Sequence, residues 1–453
     1  MVNIVRLAAV VVLVAQAGYR SVSQSMRRSQ QTVFIAGIVT SLFLLVTIAL
    51  VARAGTNEKR AFLPIVKIPP TEFRGLWITR WDWAPGATEA TIDTIVDDAA
   101  RAGFNVLLFQ VRGAADAYYA SSIEPWGRLL TGNLGGNPGF DPLSRMISQA
   151  HARGIQVHAY INVYTVWDKC TLEAKPPKVS PDPLYYRLKN SHGQPDPSQV
   201  NNGLQWDTNK ATICGDGYLW ASPASVYADS HYMAVARDLA NRYDIDGIHL
   251  DRVRYAGRSS SCDPVSEAGA RMGCFQQSSA YADFQRRQVN STVGKYYDVI
   301  AQEHPDLMLS AAVWFVYQDK WGWGYSQGYY DYYQDSQGWM KGGYIDAIMP
   351  MIYSSADGNP NPADQTFPQW KWQVLVSDFM ANSHGRFVIA GIGSNHYASF
   401  SEIEARINIA RQLGTAGHAI FSYSGLKQKG YFDQLANGPY AQPASVPVIT
   451  WHN

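Results

Sequence analysis

The chain has 453 residues, 46% hydrophobic and 13% aromatic, enough to bury one large core or two medium ones and to exclude disorder over most of its length. Lys and Arg number 38 against 37 Asp and Glu, and with a net charge of +1 and no long basic run the composition argues against a nucleic-acid partner. The aromatic share, with 14 Trp and 27 Tyr, is the compositional oddity.

In chain order, the first apolar run, Leu7 to Ala17, is too short to span a bilayer and lies upstream of a second candidate start, Met26. The second, VFIAGIVTSLFLLVTIALVA from Val33 to Ala52, carries no charge and is long enough at the helical rise to cross the hydrocarbon core. Arg27 and Arg28 precede it and favour a cytoplasmic N-terminus. Ala52-Arg53-Ala54 also reads as a small-x-small cleavage site, so residues 1–54 are expected to be a transmembrane anchor or a long signal peptide. The anchor is preferred, because the run exceeds the usual signal core of about 7–15 residues. Either reading makes the remainder extracytoplasmic, and the anchor makes the membrane a partner.

A polar, proline-containing linker, residues 55–70, leads into an alternation of apolar strand-like and amphipathic helix-like runs, the pattern of parallel sheet with crossover helices. Eight strands are expected: Gly75–Thr79, Val106–Val111, Gln156–Ile161, Gly247–Leu250, Leu307–Val313, Asp346–Ile352, Phe387–Ile392 and His418–Ser422. Between them, Asp141 caps and Pro142 opens a helix with Leu143, Met146, Ile147 and Ala150 on one face, before a stop at Gly154. Ser401-Glu-Ile-Glu404 reads as a capping box opening another, with Gly414 as its stop.

Eight such units over residues 71–437 suit an α/β fold of the (β/α)8 TIM-barrel type, with long insertions after strands three (164–229) and five (314–344). An open doubly wound sheet is the alternative, but no Gly-rich dinucleotide turn follows strand one. Residues 438–453 read as a disordered tail or a surface strap. Cys170, Cys214, Cys262 and Cys274 fit an oxidising compartment, and of three pairings proximity favours Cys170 with Cys214 and Cys262 with Cys274; four free buried thiols are the alternative.

In such a barrel the site forms at the C-terminal strand ends. Those ends collect Trp81, Asp82, Arg112, Tyr160, Asn162, Asp251, Arg254, Trp314 and Tyr353, with Asp116 and Glu124 in the loop after strand two and His249 one layer below Asp251. Glycosidic hydrolysis needs two carboxyl groups, one to protonate the leaving oxygen and one to act as nucleophile or to activate water. Asp251, an acid among arginines that tends to stay ionised, is the expected nucleophile or base. Glu124 is the first choice for the general acid, ahead of Asp116, with Asp82 a further candidate. The others would bind and position the sugar, and the aromatic run from Trp314 to Tyr333 would wall it or pack against itself. Asp251 as a mere ion-pair partner and His249 as a core histidine are the structural alternatives. His158 and His249 lie on separate strands, so neither a metal nor a cofactor is expected, and no G-x-S-x-G or P-loop pattern is present.

Five stretches in order resemble the glycosyl-hydrolase-like 10 family, also called the domain-of-unknown-function 187 group. They are FRGLWITRWDW (Phe73 to Trp83), FNVLLFQVRGAADAYYASSIEPW (Phe104 to Trp126), FDPLSRMISQAHARGIQVHAYINVY (Phe140 to Tyr164), YDIDGIHLDRVRY (Tyr243 to Tyr255) and IDAIMPMIY (Ile345 to Tyr353). The resemblance implies a TIM-barrel glycoside hydrolase of exported bacterial proteins, at least one relative of which acts on peptidoglycan strands stripped of stem peptides. By position, Asp251 matches the family's acid after strand four, and Asp116 and Glu124 match acids of its strand-two loop. Many members carry two adjacent acids after strand four, where this chain has Asp251-Arg252. The expectation is an exported hydrolase of an extracellular polysaccharide, peptidoglycan foremost. A non-catalytic glycan-binding or scaffold protein on the same frame is the rival.

Overall fold

A computed structural model describes residues 70–170, 175–188, 203–274, 278–353 and 368–452. The apolar segments and all but the last residue of the linker lie outside them. Among the described residues no helix is long and apolar enough to cross a membrane.

Eight parallel strands close into a barrel: β1 (Phe73–Ile78), β2 (Val106–Arg112), β3 (Gln156–Asn162), β4 (Gly247–Asp251), β5 (Met308–Val313), β6 (Ala347–Pro350), β7 (Phe387–Gly393) and β8 (Gly417–Phe421). Each neighbours the next in sequence, and β1 pairs with β8. Helices alternate with them, so the fold is a (β/α)8 TIM barrel.

Buried on both faces, the strands sort their side chains by the period of two. On β3 the inward set is His158, Tyr160 and Asn162, in register with Gly247, His249 and Asp251 of β4. The outward Val157, Ala159 and Ile161 join the core beneath the helices. Inside the barrel, Phe73, Trp77, Leu108, Tyr160, Met308, Met349, Tyr353 and Ile389 form a separate cluster. Between Gln110 and Arg112 the β2–β3 register slips by one residue. A bulge of this kind reverses the alternation, so Gln110 pairs with inward Tyr160 while Arg112 pairs with outward Ile161.

The Asp141 carboxylate accepts from Leu143 and Ser144 N–H and opens the helix Pro142–His151. Ser401-Glu-Ile-Glu404 does not form its capping box: the helix Phe400–Gln412 starts earlier, where Phe400 packs edge-on against Tyr431. Between β3 and the helix Val226–Arg242 lies a small antiparallel sheet of Thr165–Trp167, Tyr218–Trp220 and Cys214–Gly215. Disulfides join Cys170 to Cys214 and Cys262 to Cys274, so the thiols are not free.

At the opposite end of the barrel, Ser445 pairs with Thr71 and the Trp451 indole donates to Asp346 at 2.7 Å. The final residues thereby lie against the end where the strands begin.

Candidate active site

A cavity of about 210 Å³ opens at the C-terminal ends of the strands. Trp77, Tyr353 and Phe421 supply its aromatic surface, with the Tyr353 and Phe421 rings stacked 5.1 Å apart. Trp77 is fixed by donating its indole N–H to His249 Nε2 at 3.0 Å, and His249 Nδ1 lies 2.9 Å from Ser310 Oγ. Burial pushes the His249 imidazole down to about 4, so it is neutral near pH 7. His249 is therefore an orienting core group beneath the cavity and does not line it, contrary to its expected place among the sugar-binding residues.

Asp251 ends β4 and reaches the cavity. Its Oδ2 accepts from the Tyr160 hydroxyl at 2.7 Å, its Oδ1 accepts from Arg252 N–H at 2.6 Å, and Arg254 Nη1 stands 3.6 Å from Oδ1. Burial is the largest influence and pushes its pKa up, but Arg252, Arg254 and the Tyr160 hydrogen bond together outweigh it and hold the carboxyl below its usual range. For Tyr160 the same burial, reinforced by the Asp251 charge, pushes the phenol well above its usual value, so it keeps the proton it donates.

Trp81, Asn162, Arg254 and Tyr353 also line the cavity, as expected. Trp81 is half exposed at the lip, its ring 4.6 Å from the Arg80 guanidinium. Asn162 accepts from Gln110 at 3.1 Å and donates to the Gly113 carbonyl at 2.9 Å, which fixes the amide's orientation.

Five expected site residues besides His249 lie elsewhere. Glu124 is 1% exposed and clamped by Arg112 Nε and Nη2 and by His231 Nε2 at 2.8 Å. Burial alone would raise its pKa, but Arg112 and His231 bring it down to about 2. Glu124 does not line the cavity. Arg112, turned outward by the bulge, spends its other donors on the Asn162 and Val163 carbonyls. Asp82 folds back to accept from Thr79 N–H at 2.7 Å and also hydrogen-bonds Ser424, and burial pushes its pKa up against these bonds; it does not line the cavity. Trp314 lies tilted against Tyr332, ring centroids 4.1 Å apart, donates to the Ser326 carbonyl and stands 5.5 Å from the Arg254 guanidinium carbon. Asp116, buried next to Tyr118 and accepting from Ala114 N–H at 2.7 Å, does not line the cavity; burial pushes its pKa up against the Arg80 charge.

Sequence reasoning missed Arg80, Gln110, Tyr218 and Arg252, all of which line the cavity. It also missed Asp216, in the tight turn between Gly215 and Tyr218, whose Oδ2 lies 2.6 Å from Arg252 Nη1 and 3.6 Å from Arg254 Nη2. Desolvation by the surrounding protein pushes the Asp216 pKa up although the side chain stays 59% exposed, and Arg252 and Arg254 outweigh it and leave the pKa lowered. Asp251 and Asp216 thus share the same two arginines. Arg252 holds φ = 52°, a conformation that side chains other than glycine rarely adopt, which lets its N–H turn onto Asp251 while its side chain reaches Asp216. Among the described residues, no group of three His, Cys, Asp or Glu side chains is arranged to hold a metal ion.

The site is thus a cavity at the C-terminal end of a (β/α)8 barrel, with one carboxylate, Asp251, among aromatic rings and hydrogen-bonding groups. Residues 72–378 match the model of the family described as glycosyl hydrolase-like 10, and the chain belongs to that family. It is 26% identical over 370 residues to the glycosyl hydrolase YngK of Bacillus subtilis (strain 168), covering 79% of this chain and 68% of the relative. It is 27% identical over 306 residues to the glycosyl hydrolase DigH of Escherichia coli (strain K12), covering 62% of this chain and 65% of that one. The glycoside hydrolase domain of PgaB (BpsB) from Bordetella bronchiseptica superposes with a TM-score of 0.54 at 12% identity, over 80% of this chain and 98% of that domain, which shows a shared fold.

Proposed function

We propose that this chain is an exported glycoside hydrolase acting on an extracellular polysaccharide, with peptidoglycan glycan strands the leading substrate. The observation that carries the reading is the ionised Asp251 at the cavity, held by Tyr160 and two arginines under an aromatic surface. Asp251 acts as the nucleophile or as the base that activates water. Asp216 is the proposed second carboxyl, because it shares Arg252 and Arg254 with Asp251 and stands at the exposed side of the site. A sugar inserted between Asp216 and its arginines removes the contacts that depress its pKa, and the carboxyl then takes up the proton it delivers to the leaving oxygen. Asp116, whose pKa burial raises, is the alternative acid.

The disulfides and the family support an extracytoplasmic location, and the uncharged run Val33 to Ala52 supports a membrane anchor or signal peptide. The test is release of new reducing ends by the full-length chain from intact peptidoglycan, peptide-stripped glycan strands and neutral polysaccharides. Cleavage lost in Asp251→Asn supports the hydrolase. Absence of cleavage, with glycan retention unchanged by that substitution, overturns it in favour of a binding protein.

A further inference from the structure

The cavity at Asp251, about 210 Å³, lies below the range of about 300–1,000 Å³ usual for ligand pockets, so a polysaccharide must run on beyond it. A second cleft, about 600 Å³, opens between the starts of the helices Gln369–Ala381 and Phe400–Gln412. The two meet at one pair of rings. His396, in the loop after β7, lines the cleft and stacks on Tyr353, ring centroids 6.1 Å apart, and Tyr353 lines the cavity. Gly393 at the end of β7 makes room for this contact: a Cβ there would stand 2.6 Å from both the His396 ring and Tyr353 Cβ.

The lining of the cleft suits sugar rings. Trp370 is 56% exposed, yet its indole is held in a T-shaped contact with Trp323, ring centroids 5.7 Å apart. Trp323 sits in a loop fixed by Asp319, whose carboxylate accepts from Trp321 N–H at 3.2 Å and Gly324 N–H at 2.7 Å. An exposed, oriented indole offers a flat apolar surface to the C–H face of a pyranose. Beside it stand Gln369, Gln373 and Ser399, side chains that both donate and accept, as a sugar's hydroxyls require. Glu402 and Arg406, also in the lining, pair with each other at 2.7 Å, so recognition there rests on ring faces and hydroxyls and not on charge.

We propose that this cleft is a distal subsite, holding pyranose units of the same strand whose scissile bond lies at Asp251, with Trp370 as their stacking surface, so that the enzyme favours long strands over short oligomers. The proposal rests on the hydrolase reading, and it deepens that reading by naming where the rest of the polymer is held.

The experiment uses the full-length chain and peptide-stripped peptidoglycan strands, as polymer and as oligomers separated by length. For the wild type, kcat/KM is expected to rise with length beyond the shortest oligomer cleaved. In Trp370→Ala the ratio of kcat/KM on polymer to that on the shortest cleaved oligomer is expected to fall about 10-fold, the usual scale for truncating an aromatic anchor. Trp370→Phe keeps most of that ratio, and Gln373→Ala lowers it about 3-fold through a lost hydrogen bond. No length dependence in the wild type, or an unchanged ratio in Trp370→Ala, overturns the proposal. Melting curves check that each variant is folded, and should Trp370→Ala not fold, the ratio in Gln373→Ala decides. If no length is cleaved, the hydrolase reading fails separately for these strands, and retention in affinity electrophoresis decides the cleft. Retention of the polymer that weakens in Trp370→Ala upholds a glycan site there, and retention that is absent or unchanged overturns it.

Discussion

The Tyr160 hydroxyl donates to Asp251 Oδ2 at 2.7 Å across the β3–β4 pair, from the inward position one residue pair below Asn162 and Asp251. This bond helps keep Asp251 ionised in spite of its burial, together with Arg252 and Arg254. Tyr160→Phe removes the donor and leaves the ring in place. The carboxylate loses part of its support, so its pKa rises and the acid limb of the kcat/KM profile moves to higher pH, with a rate loss of about 10-fold at the optimum. An unchanged acid limb would show that Asp251 does not set it.

Asp251→Asn and Asp216→Asn test the two carboxyl roles directly. Each is expected to lower kcat about 10²- to 10⁴-fold on the glycan that the wild type cleaves, the range for removing one acid or base. Thermal melting separates this from misfolding. The substitution at Asp216, which is exposed, should leave Tm nearly unchanged. Full activity in Asp216→Asn, with loss in Asp116→Asn, would transfer the acid role to Asp116.

Asp251, Tyr160 and Asn162 were legible because β3 and β4 alternate cleanly: a strand that keeps a period of two places every second side chain on one face. Arg112 was misread by the same rule. It stands two residues after inward Gln110, and only the bulge, which nothing in the residues GlnValArg announces, turns it outward onto Glu124. Glu124 could not be excluded in advance, since its clamp includes His231, 107 positions away. Asp216 was illegible for another reason. Its loop is brought to the strand ends by a small antiparallel sheet and the Cys170–Cys214 disulfide, and neither gives a periodic signal at Asp216. The eight strands were legible throughout, because each is an apolar run buried on both faces.

The Arg112–Glu124 pair is assigned to stability and not to catalysis. Both side chains are 1% exposed, and breaking a buried pair from one side typically costs about 3–5 kcal/mol. Glu124→Gln should therefore lower Tm by several degrees while leaving kcat/KM within a few-fold below the melting range. The pH dependence has a defined sign. With a folded-state pKa of about 2 against the usual 4.5, Glu124 contributes stability that is fully present above about pH 4.5 and is lost as pH falls through 2. Glu72, lowered likewise to about 2 by Arg411, His418 and Arg74 against its burial, acts in the same window. Melting curves between pH 5 and 2 should fall less steeply in Glu124→Gln than in the wild type. Equal slopes would remove Glu124 from the account.

The two disulfides should differ in what their loss does to activity. Cys262–Cys274 closes a short loop of sequence separation 12 and packs with Tyr281. Cys170–Cys214 spans 44 positions and ends one residue before Gly215, on the hairpin whose turn carries Asp216. Removing a native disulfide typically costs about 2–5 kcal/mol in small secreted domains, so either double Cys→Ala variant should melt earlier, by less in a barrel with a core of this size. Only the Cys170/Cys214 variant also frees the strand that holds Asp216 over Arg252 and Arg254, and only it should lose kcat/KM, by about 10-fold or more, at temperatures where both variants remain folded. Equal activity losses in the two variants would show that the hairpin's position over the cavity does not depend on its disulfide.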